Sequence, residues 1–171
     1  MISSSFSIGI RFLVLILLQG LVLNNVQVFG VASTYFYVIF ILFLPIEFNR
    51  IVVMMLAFAL GLGIDLFSSS WGLHTFSCVF VAFLRPTLLR FLAPRDGYEF
   101  NAVPNWRTMG FAWFITYSAI AVFLHHFTVH FVEAFRFSEF FNVLGRTLAS
   151  TLFTLVLLVI SQLFSYKSNK S

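Results

Sequence analysis

Charged residues are scarce in this sequence. Only 9% of its 171 residues are Asp, Glu, Lys or Arg, whereas a soluble domain has about 25%. Because 60% of the residues are hydrophobic, the chain could not cover a globular surface in water. This composition excludes a soluble protein and predicts an all-α integral membrane protein. Spans and short connections need nearly every residue, so residues 1–171 are expected to form a single transmembrane domain.

Cysteine and acidic residues are also rare. The single cysteine, Cys78, excludes an internal disulfide and lies in an apolar run, where it is expected to pack as a small hydrophobic residue. Ten Lys and Arg against six Asp and Glu give a net charge of +4. In a soluble protein, that excess would suggest nucleic acid as a partner. Here the basic residues lie at the ends of apolar runs, which favours a membrane and predicts no nucleic-acid binding.

Six apolar runs predict six transmembrane helices. The expected spans are residues 8–28, 31–46, 51–67, 72–93, 108–127 and 140–164. Several of these runs are shorter than the ~20 residues of a straight span, which local thinning of the bilayer can accommodate. Arg11 before the first run also fits a signal peptide, although the residues that follow make a poor cleavage site. A five-span arrangement, with the first two runs merged, is the alternative topology.

The basic residues predict the orientation of these spans. Six spans place both termini on one side, and cytoplasmic termini then put eight of the ten Lys and Arg residues inside. The inner residues are Arg11, Arg50, Arg85, Arg90, Arg95, Arg107, Lys167 and Lys170, and the outer ones are Arg136 and Arg146. Among the inner residues, Arg85, Arg90 and Arg95 are expected to anchor the chain in the inner leaflet by extending toward the headgroups.

Asp65 is the most unusual residue of the apolar runs, because it ends one of them and the next begins near His74. A carboxylate at the centre of a bilayer costs roughly 2.5–3.5 kcal/mol unless it finds a partner. Gly61, Asp65 and Ser68 share one helix face, and glycine allows helices to approach closely. We expect Asp65 to accept hydrogen bonds from the serine turn or from His74 as a structural clasp. A contact with a partner protein and a proton or ion site are the alternatives.

The histidines form the nearest approach to a metal site. His126, His130 and Glu133 are spaced along one helical face, but Phe127 stands where a metalloprotease helix requires glutamate. No metal site is therefore predicted, because histidines are common at a membrane interface without a metal. The loop expected over 125–142 lies outside the membrane, either as an amphipathic segment in the interface or as an irregular loop. On the fourth helix, one face is predicted to carry His74, Cys78, Ala82, Arg85 and Leu89.

Catalytic motifs are missing from the sequence. It contains no Gly-x-Ser-x-Gly elbow, and the glycines at 61 and 63 lack the lysine of a phosphate loop. The serines at 68–70 have only Asp65 and His74 nearby in sequence, which is not a convincing pair of nucleophile and base. The sequence therefore predicts no enzyme, no catalytic residue and no cofactor. A membrane-embedded enzyme ranks as the third hypothesis.

The turn from Gly61 to His74 resembles the signature turn of the bacterial rod shape-determining protein family MreD. Leu17–Asn25, Phe83–Arg90 and Ala93–Glu99 resemble the version of that family found in Bacteroidota. The resemblance extends over the whole chain. It implies a multi-pass protein of the bacterial inner membrane, with a six-helix fold similar to the substrate-binding subunits (S-components) of energy-coupling-factor vitamin transporters.

The resemblance also implies a function and partners. It points to a non-enzymatic scaffold subunit of the cell-elongation complex, which organises peptidoglycan synthesis and cell shape with the single-span periplasmic scaffold MreC. Indirect partners would be MreB, RodA and a class B penicillin-binding protein, and the bilayer supplies membrane lipid. No catalytic or cofactor-binding residue is carried over. The candidate residues for structural or partner contacts are Gly61, Asp65, Ser68, Gly72 and His74.

An alternative function is a small-molecule-binding subunit of a vitamin transporter. The turn Asp65–His74 and the loop His125–Glu133 would then form the walls of an external pocket. Such a pocket needs convergent polar groups, and the sequence offers few of them in the outer halves of its helices. Ligand binding would distinguish this alternative from a scaffold.

Overall fold

The computed structural model describes residues 2–25, 27–28, 32–100 and 102–167. Within this part of the chain the fold is helical apart from one pair of short strands. The longer helices are α1 (Ile2–Leu21), α3 (Arg50–Ser68), α4 (Leu73–Phe91), α6 (Phe111–Ala134) and α7 (Phe140–Lys167). The shorter ones are α2 (Ile39–Leu42), α5 (Trp106–Met109) and the 3-10 helices Leu23–Asn25, Phe36–Val38 and Phe137–Glu139. Strands β1 (Gln27–Val28) and β2 (Ala32–Ser33) pair antiparallel.

Within the described ranges, three segments are long and apolar enough to cross a membrane. They are Arg50–Ser68, Phe111–Ala134 and Phe137–Phe164, which correspond to α3, to α6 and to most of α7. Within α1, the segment Phe6–Leu21 is apolar but shorter. Large hydrophobic side chains are exposed along these helices, among them Met55, Leu66 and Leu152. Exposed apolar faces of this kind suit a lipid environment.

Helices α3 and α4 form a tightly packed hairpin. Asn49 caps the start of α3 by accepting a hydrogen bond from the backbone N–H of Ile51 at 2.8 Å. The hairpin turns at Gly72, whose φ of 83° favours glycine. A Cβ atom at Gly61 would lie 2.4 Å from the Cα of Thr75, so only glycine permits this closeness of the two helices. The face of α4 expected to contain His74, Cys78, Ala82, Arg85 and Leu89 is buried.

The second apolar run differs from its expected form. A long helix over residues 31–46 was expected, but the described part of this segment contains β2, the 3-10 helix Phe36–Val38 and the single turn of α2. Residues Tyr37 to Leu42 are all buried, in contact with both halves of the hydrophobic core. A run of about 10–14 apolar residues is too short for a straight span and is typical of a buried core segment. Pro45 then prevents continuation of the helix.

The expected loop over residues 125–142 is also wrong for most of its length. Helix α6 continues to Ala134, where Phe135 ends it in the left-handed conformation with a φ of 41°. His125, His126 and His130 therefore lie on a buried helical face instead of an external loop. Their polarity suggested the end of a span. In the structure the helix continues, and His126 and His130, one turn apart, share the face that packs in the interior. The remaining connection to α7 is short.

The helices define two ends of the bundle. We call the end that contains Asp65, His74 and Glu133 the polar end. The opposite end, which we call the basic end, contains Arg85 beside the carbonyl of Leu44, and Arg11 and Arg107 around one groove that also includes Leu44. The buried segment from Thr34 to Leu44 connects the polar end to the basic end through the core.

Arg85 does not act as the exposed membrane anchor that the sequence predicted. Its side chain is only 2% exposed, and its guanidinium donates hydrogen bonds to the backbone carbonyls of Leu44 and Pro45. The proline leaves unpaired carbonyls where α2 ends, and the arginine satisfies them. Arg90 and Arg95 are exposed, as expected for residues that reach toward headgroups.

Candidate functional site

Asp65 clasps the beginning of helix α4. One carboxylate oxygen accepts hydrogen bonds from the Ser70 hydroxyl at 2.6 Å and the His74 backbone N–H at 3.0 Å. The other accepts from the backbone N–H and the hydroxyl of Thr75, at 2.9 and 2.6 Å. Asp65 is 4% exposed, and its negative charge lies at the positive end of the α4 dipole. These four bonds occupy the carboxylate, which fits a structural role.

The side chain of His74 does not contact the Asp65 carboxylate. Instead, its Nδ1 lies 2.8 Å from the hydroxyl of Tyr37, and that hydroxyl lies 3.1 Å from Nε2 of His125. The Tyr37 hydroxyl has one proton, so it donates to one imidazole and accepts from the other. The Cys78 sulfur is 3.9 Å from the same nitrogen of His125. A buried chain of polar groups thus joins α4, the segment before α2, and α6.

Two further histidines connect α6 to α7. Nδ1 of His126 lies 2.9 Å from the carbonyl of Val122, which can only accept, so Nδ1 carries the proton. Nε2 of His126 then accepts from the Thr154 hydroxyl at 3.0 Å. His130 is 3.4 Å from the Ser150 hydroxyl, and its other nitrogen lies 3.6 Å from the Glu133 carboxylate. Arg146 contacts the same carboxylate oxygen at 3.3 Å.

Tyr35 lies at the centre of these histidines. Its ring centroid is 5.1 Å from His74, 6.0 Å from His125, 5.1 Å from His126 and 5.8 Å from His130. All four histidines of the chain therefore surround one tyrosine. The sequence placed His74 and the other three histidines at the same membrane face, but in external turns and loops, so it did not predict their packing around Tyr35 in the interior. The signal that could have revealed the cluster is the one-turn spacing of His126 and His130, which places both on the same face of a helix.

A polar cavity of about 400 Å³ lies above the cluster at the polar end. Its walls are Gln19, Leu23, Asn24, Ser33, Thr34, Tyr35, Phe67, Ser68, Ser70, Leu73, His74, Glu133 and Arg146. Gln19, 1% exposed, donates to the Thr34 carbonyl at 2.7 Å and to the Asn24 side chain at 3.0 Å. Asn24 in turn donates to the Ser68 hydroxyl at 2.9 Å, which ties the end of α1 to the end of α3.

The structure brings some of the expected site residues together and separates others. Gly61, Asp65, Ser68 and His74 lie at the polar end, where Ser68 and His74 line the cavity; Gly72 lies in the exposed hairpin turn. Arg85 lies at the basic end. The cavity also includes Gln19 and Asn24, which were quoted only as part of the resemblance, because their proximity depends on tertiary packing.

The chemistry available at this site is hydrogen bonding. Among the described residues, no group of three or more His, Cys, Asp or Glu side chains is arranged to hold a metal ion. Ser70 donates to Asp65, and the assigned contacts pair neither it nor Ser68 with an imidazole that could act as a base. Comparison with known proteins gives no match to any family model, curated protein or solved structure.

Proposed function

We propose that this protein is a non-enzymatic scaffold subunit of MreD type in the bacterial inner membrane. In this role it would organise peptidoglycan synthesis and cell shape together with an MreC-like single-span protein. Its indirect partners would be MreB, RodA and a class B penicillin-binding protein. The Asp65 clasp carries the proposal. Asp65 belongs to the turn that resembles the MreD signature, and its carboxylate accepts four hydrogen bonds that join α3 to the start of α4.

The proposed topology has six crossings of the bilayer with cytoplasmic termini. The groove at the basic end supports it, because Arg11 near the start of α1 and Gln162 near the end of α7 line the same groove. In this topology the segment from Thr34 to Leu44, although too short for a straight helical span, would supply the second crossing through the interior of the bundle. The basic end would face the cytoplasm, as expected from the preference of Lys and Arg for that side.

The exposed helical faces support a role in assembly. On α7, Leu148, Leu152 and Val156 are exposed along one side. Helices associate within bilayers through close packing of such faces, helped by small residues. Gly145 lies one turn before this stretch, and no atom of the described residues lies within 4 Å of a Cβ added there. A single-span partner could therefore approach this face of α7.

Purification from the native membrane tests the proposal. The tagged chain should recover an MreC-like single-span protein, and Asp65→Ala should recover less of it than Asp65→Asn. Asp96→Asn is the matched control, because Asp96 is an exposed carboxylate in a loop. The purified variants are also tested for thermal unfolding, which separates lost assembly from lost folding. Folded parent protein that never recovers a single-span partner would contradict the proposal.

The polar cavity favours a second candidate, a small-molecule-binding subunit of a transporter. Its volume of about 400 Å³ falls within the range of ligand sites, and its walls include parts of both segments expected for such a pocket. Thermal unfolding in the presence of vitamins tests this function. A ligand at about 100 times its dissociation constant should stabilise the protein by roughly 2.7 kcal/mol. No shift across such a panel would contradict this candidate and leave the scaffold proposal intact.

A further inference from the structure

A second cavity, at the basic end, has a different chemical character from the polar one. It is a groove of about 500 Å³ between α1, the segment containing α2, and α7. Much of its wall is apolar, including Val14 and Leu15 of α1 and Phe36 and Phe40 of the buried segment. Because α7 is long and apolar enough to cross a membrane, lipid can reach the groove from the side.

The charged residues of this groove all have the same sign. Arg11 comes from α1 and Arg107 from α5, so two separate parts of the chain supply the cations. Asn105, Ser161 and Gln162 add groups that can donate hydrogen bonds, and no Asp or Glu of the part of the chain that the structure describes lines the groove. An apolar wall beside two cations is complementary to an amphipathic anion.

We propose that this groove binds one anionic phospholipid from the surrounding bilayer. The phosphate would lie between Arg11 and Arg107, and an acyl chain would lie along Val14, Leu15 and Phe40. Basic pockets between transmembrane helices on the cytoplasmic side are typical sites for anionic headgroups. The bilayer supplies this ligand at high local concentration.

The dimensions of the groove favour a lipid chain over a protein helix. A helix about 10 Å wide that rises 1.5 Å per residue occupies roughly 120 Å³ per residue. A volume of about 500 Å³ would therefore enclose only about one helical turn, whereas a slender acyl chain can lie within it. The two arginines also suit an anionic headgroup, which an apolar helix does not provide.

A neighbouring cavity provides room for a second acyl chain. It has a volume of about 400 Å³ and is lined by Trp106, Arg107, Gln162 and Leu163. Arg107 and Gln162 belong to both cavities, so the headgroup position lies where the two meet. Trp106 is suited to the headgroup level of the bilayer, where amphipathic rings settle.

Native mass spectrometry of the full chain tests this site. The protein is reconstituted in an equimolar mixture of phosphatidylglycerol and phosphatidylcholine, extracted in mild detergent, and examined for retained lipid. We expect one phosphatidylglycerol with about 30-fold preference over phosphatidylcholine, which corresponds to about 2 kcal/mol from two arginines. Soluble glycerol 3-phosphate should not bind, because it lacks the acyl chain that occupies the apolar wall.

Two matched pairs of variants identify the groove. Arg11→Gln with Arg107→Gln should abolish the preference, whereas Arg90→Gln with Arg95→Gln, which removes two exposed charges outside the groove, should keep it. Val14→Trp should reduce retention of lipid by filling the groove, whereas Leu13→Trp, at a similarly exposed position that does not line the groove, should not. Thermal unfolding of each variant shows that it remains folded.

Several results would overturn the proposal. These are equal retention of the two lipids by the parent chain, equal loss of preference in both arginine pairs, and binding of glycerol 3-phosphate. Recovery of a single-span protein that protects Val14 from labelling would assign the groove to a protein helix instead. A folded Val14→Trp variant that retains lipid like the parent would also contradict it.

Discussion

Thr75 donates both its backbone N–H and its hydroxyl to one carboxylate oxygen of Asp65, at 2.9 and 2.6 Å. The Cα of the same threonine would lie only 2.4 Å from a Cβ atom added at Gly61. The position of Thr75 in α4 therefore depends on two residues of α3. Asp65 accepts its hydrogen bonds, and Gly61 leaves room for its backbone. The turn between α3 and α4 therefore combines close helix packing with a polar clasp.

Asp65→Ala should lower the free energy of unfolding by roughly 1–3 kcal/mol, because four donors at the start of α4 lose their acceptor. Asp65→Asn should cost less, since its one carbonyl oxygen can still accept. Unfolding of the purified chain in mixed detergent micelles measures both. Asp96→Asn is the control, and an Asp65→Ala variant as stable as that control would contradict the clasp.

Gly61→Ala should destabilise the hairpin of α3 and α4 by roughly 1–3 kcal/mol, because the added methyl group meets the backbone of Thr75. The neighbour is backbone and cannot rotate away. Gly145→Ala is the matched control on α7, where nothing lies within 4 Å of the new Cβ, and it should be neutral or slightly stabilising through helix propensity. Equal stability of the two variants would refute the close approach.

Tyr37→Phe should remove the hydroxyl partner of Nδ1 of His74 and leave Nε2 of His125 with the more distant Cys78 sulfur at 3.9 Å, which costs roughly 1–3 kcal/mol in a buried site. Nitrogen NMR of labelled histidines should show changed signals for these two residues. His126 is the internal control, because the Val122 carbonyl and the Thr154 hydroxyl fix its tautomer. A change at His126 equal to that at His74 would show general disruption of the fold instead.

Sequence reasoning was most reliable where local chemistry determines the structure. Helix α3 begins and ends near the expected positions. Asn49 caps its start, and Gly72 permits the turn that follows its end. Asp65 was expected to bond with the serine turn or His74, and its partners are Ser70, Thr75 and the backbone of His74. In these cases the interacting groups lie within ten residues of one another.

Prediction failed where distant segments decide the structure. The burial of His125 and His130 depends on Tyr35, which lies about ninety residues earlier in the chain. Arg85 was expected at the membrane surface because it lies near the end of an apolar run. Its actual partners are the carbonyls of Leu44 and Pro45, about forty residues earlier in the chain, and sequence alone does not show that these carbonyls lack a helical partner. Hydropathy and charge report the average environment of a segment, whereas such pairings depend on tertiary packing.

Arg85→Met should destabilise the protein by roughly 1–3 kcal/mol, although methionine fills a similar volume, because the carbonyls of Leu44 and Pro45 lose their donor. Arg90→Met on the same helix should change stability by less than about 0.5 kcal/mol, because Arg90 is exposed. Thermal unfolding of the two variants in the same detergent compares them. Similar midpoints for the two variants would contradict a stabilising role for the hydrogen bonds from Arg85.

Tyr98 should make stability sensitive to alkaline pH. It lies in the loop before α5, donates to the Leu89 carbonyl at 2.5 Å and packs against Trp113, and burial raises the pKa of its phenol above the model-peptide value of 10.0. The folded state therefore retains this proton at a pH where the unfolded chain releases it. The stabilisation is complete below the unfolded pKa and is lost as pH rises through the folded pKa.

The free energy of unfolding should fall with pH above about 10 more steeply in the parent than in Tyr98→Phe. Identical slopes for the two proteins would show that the phenol has the same pKa in both states.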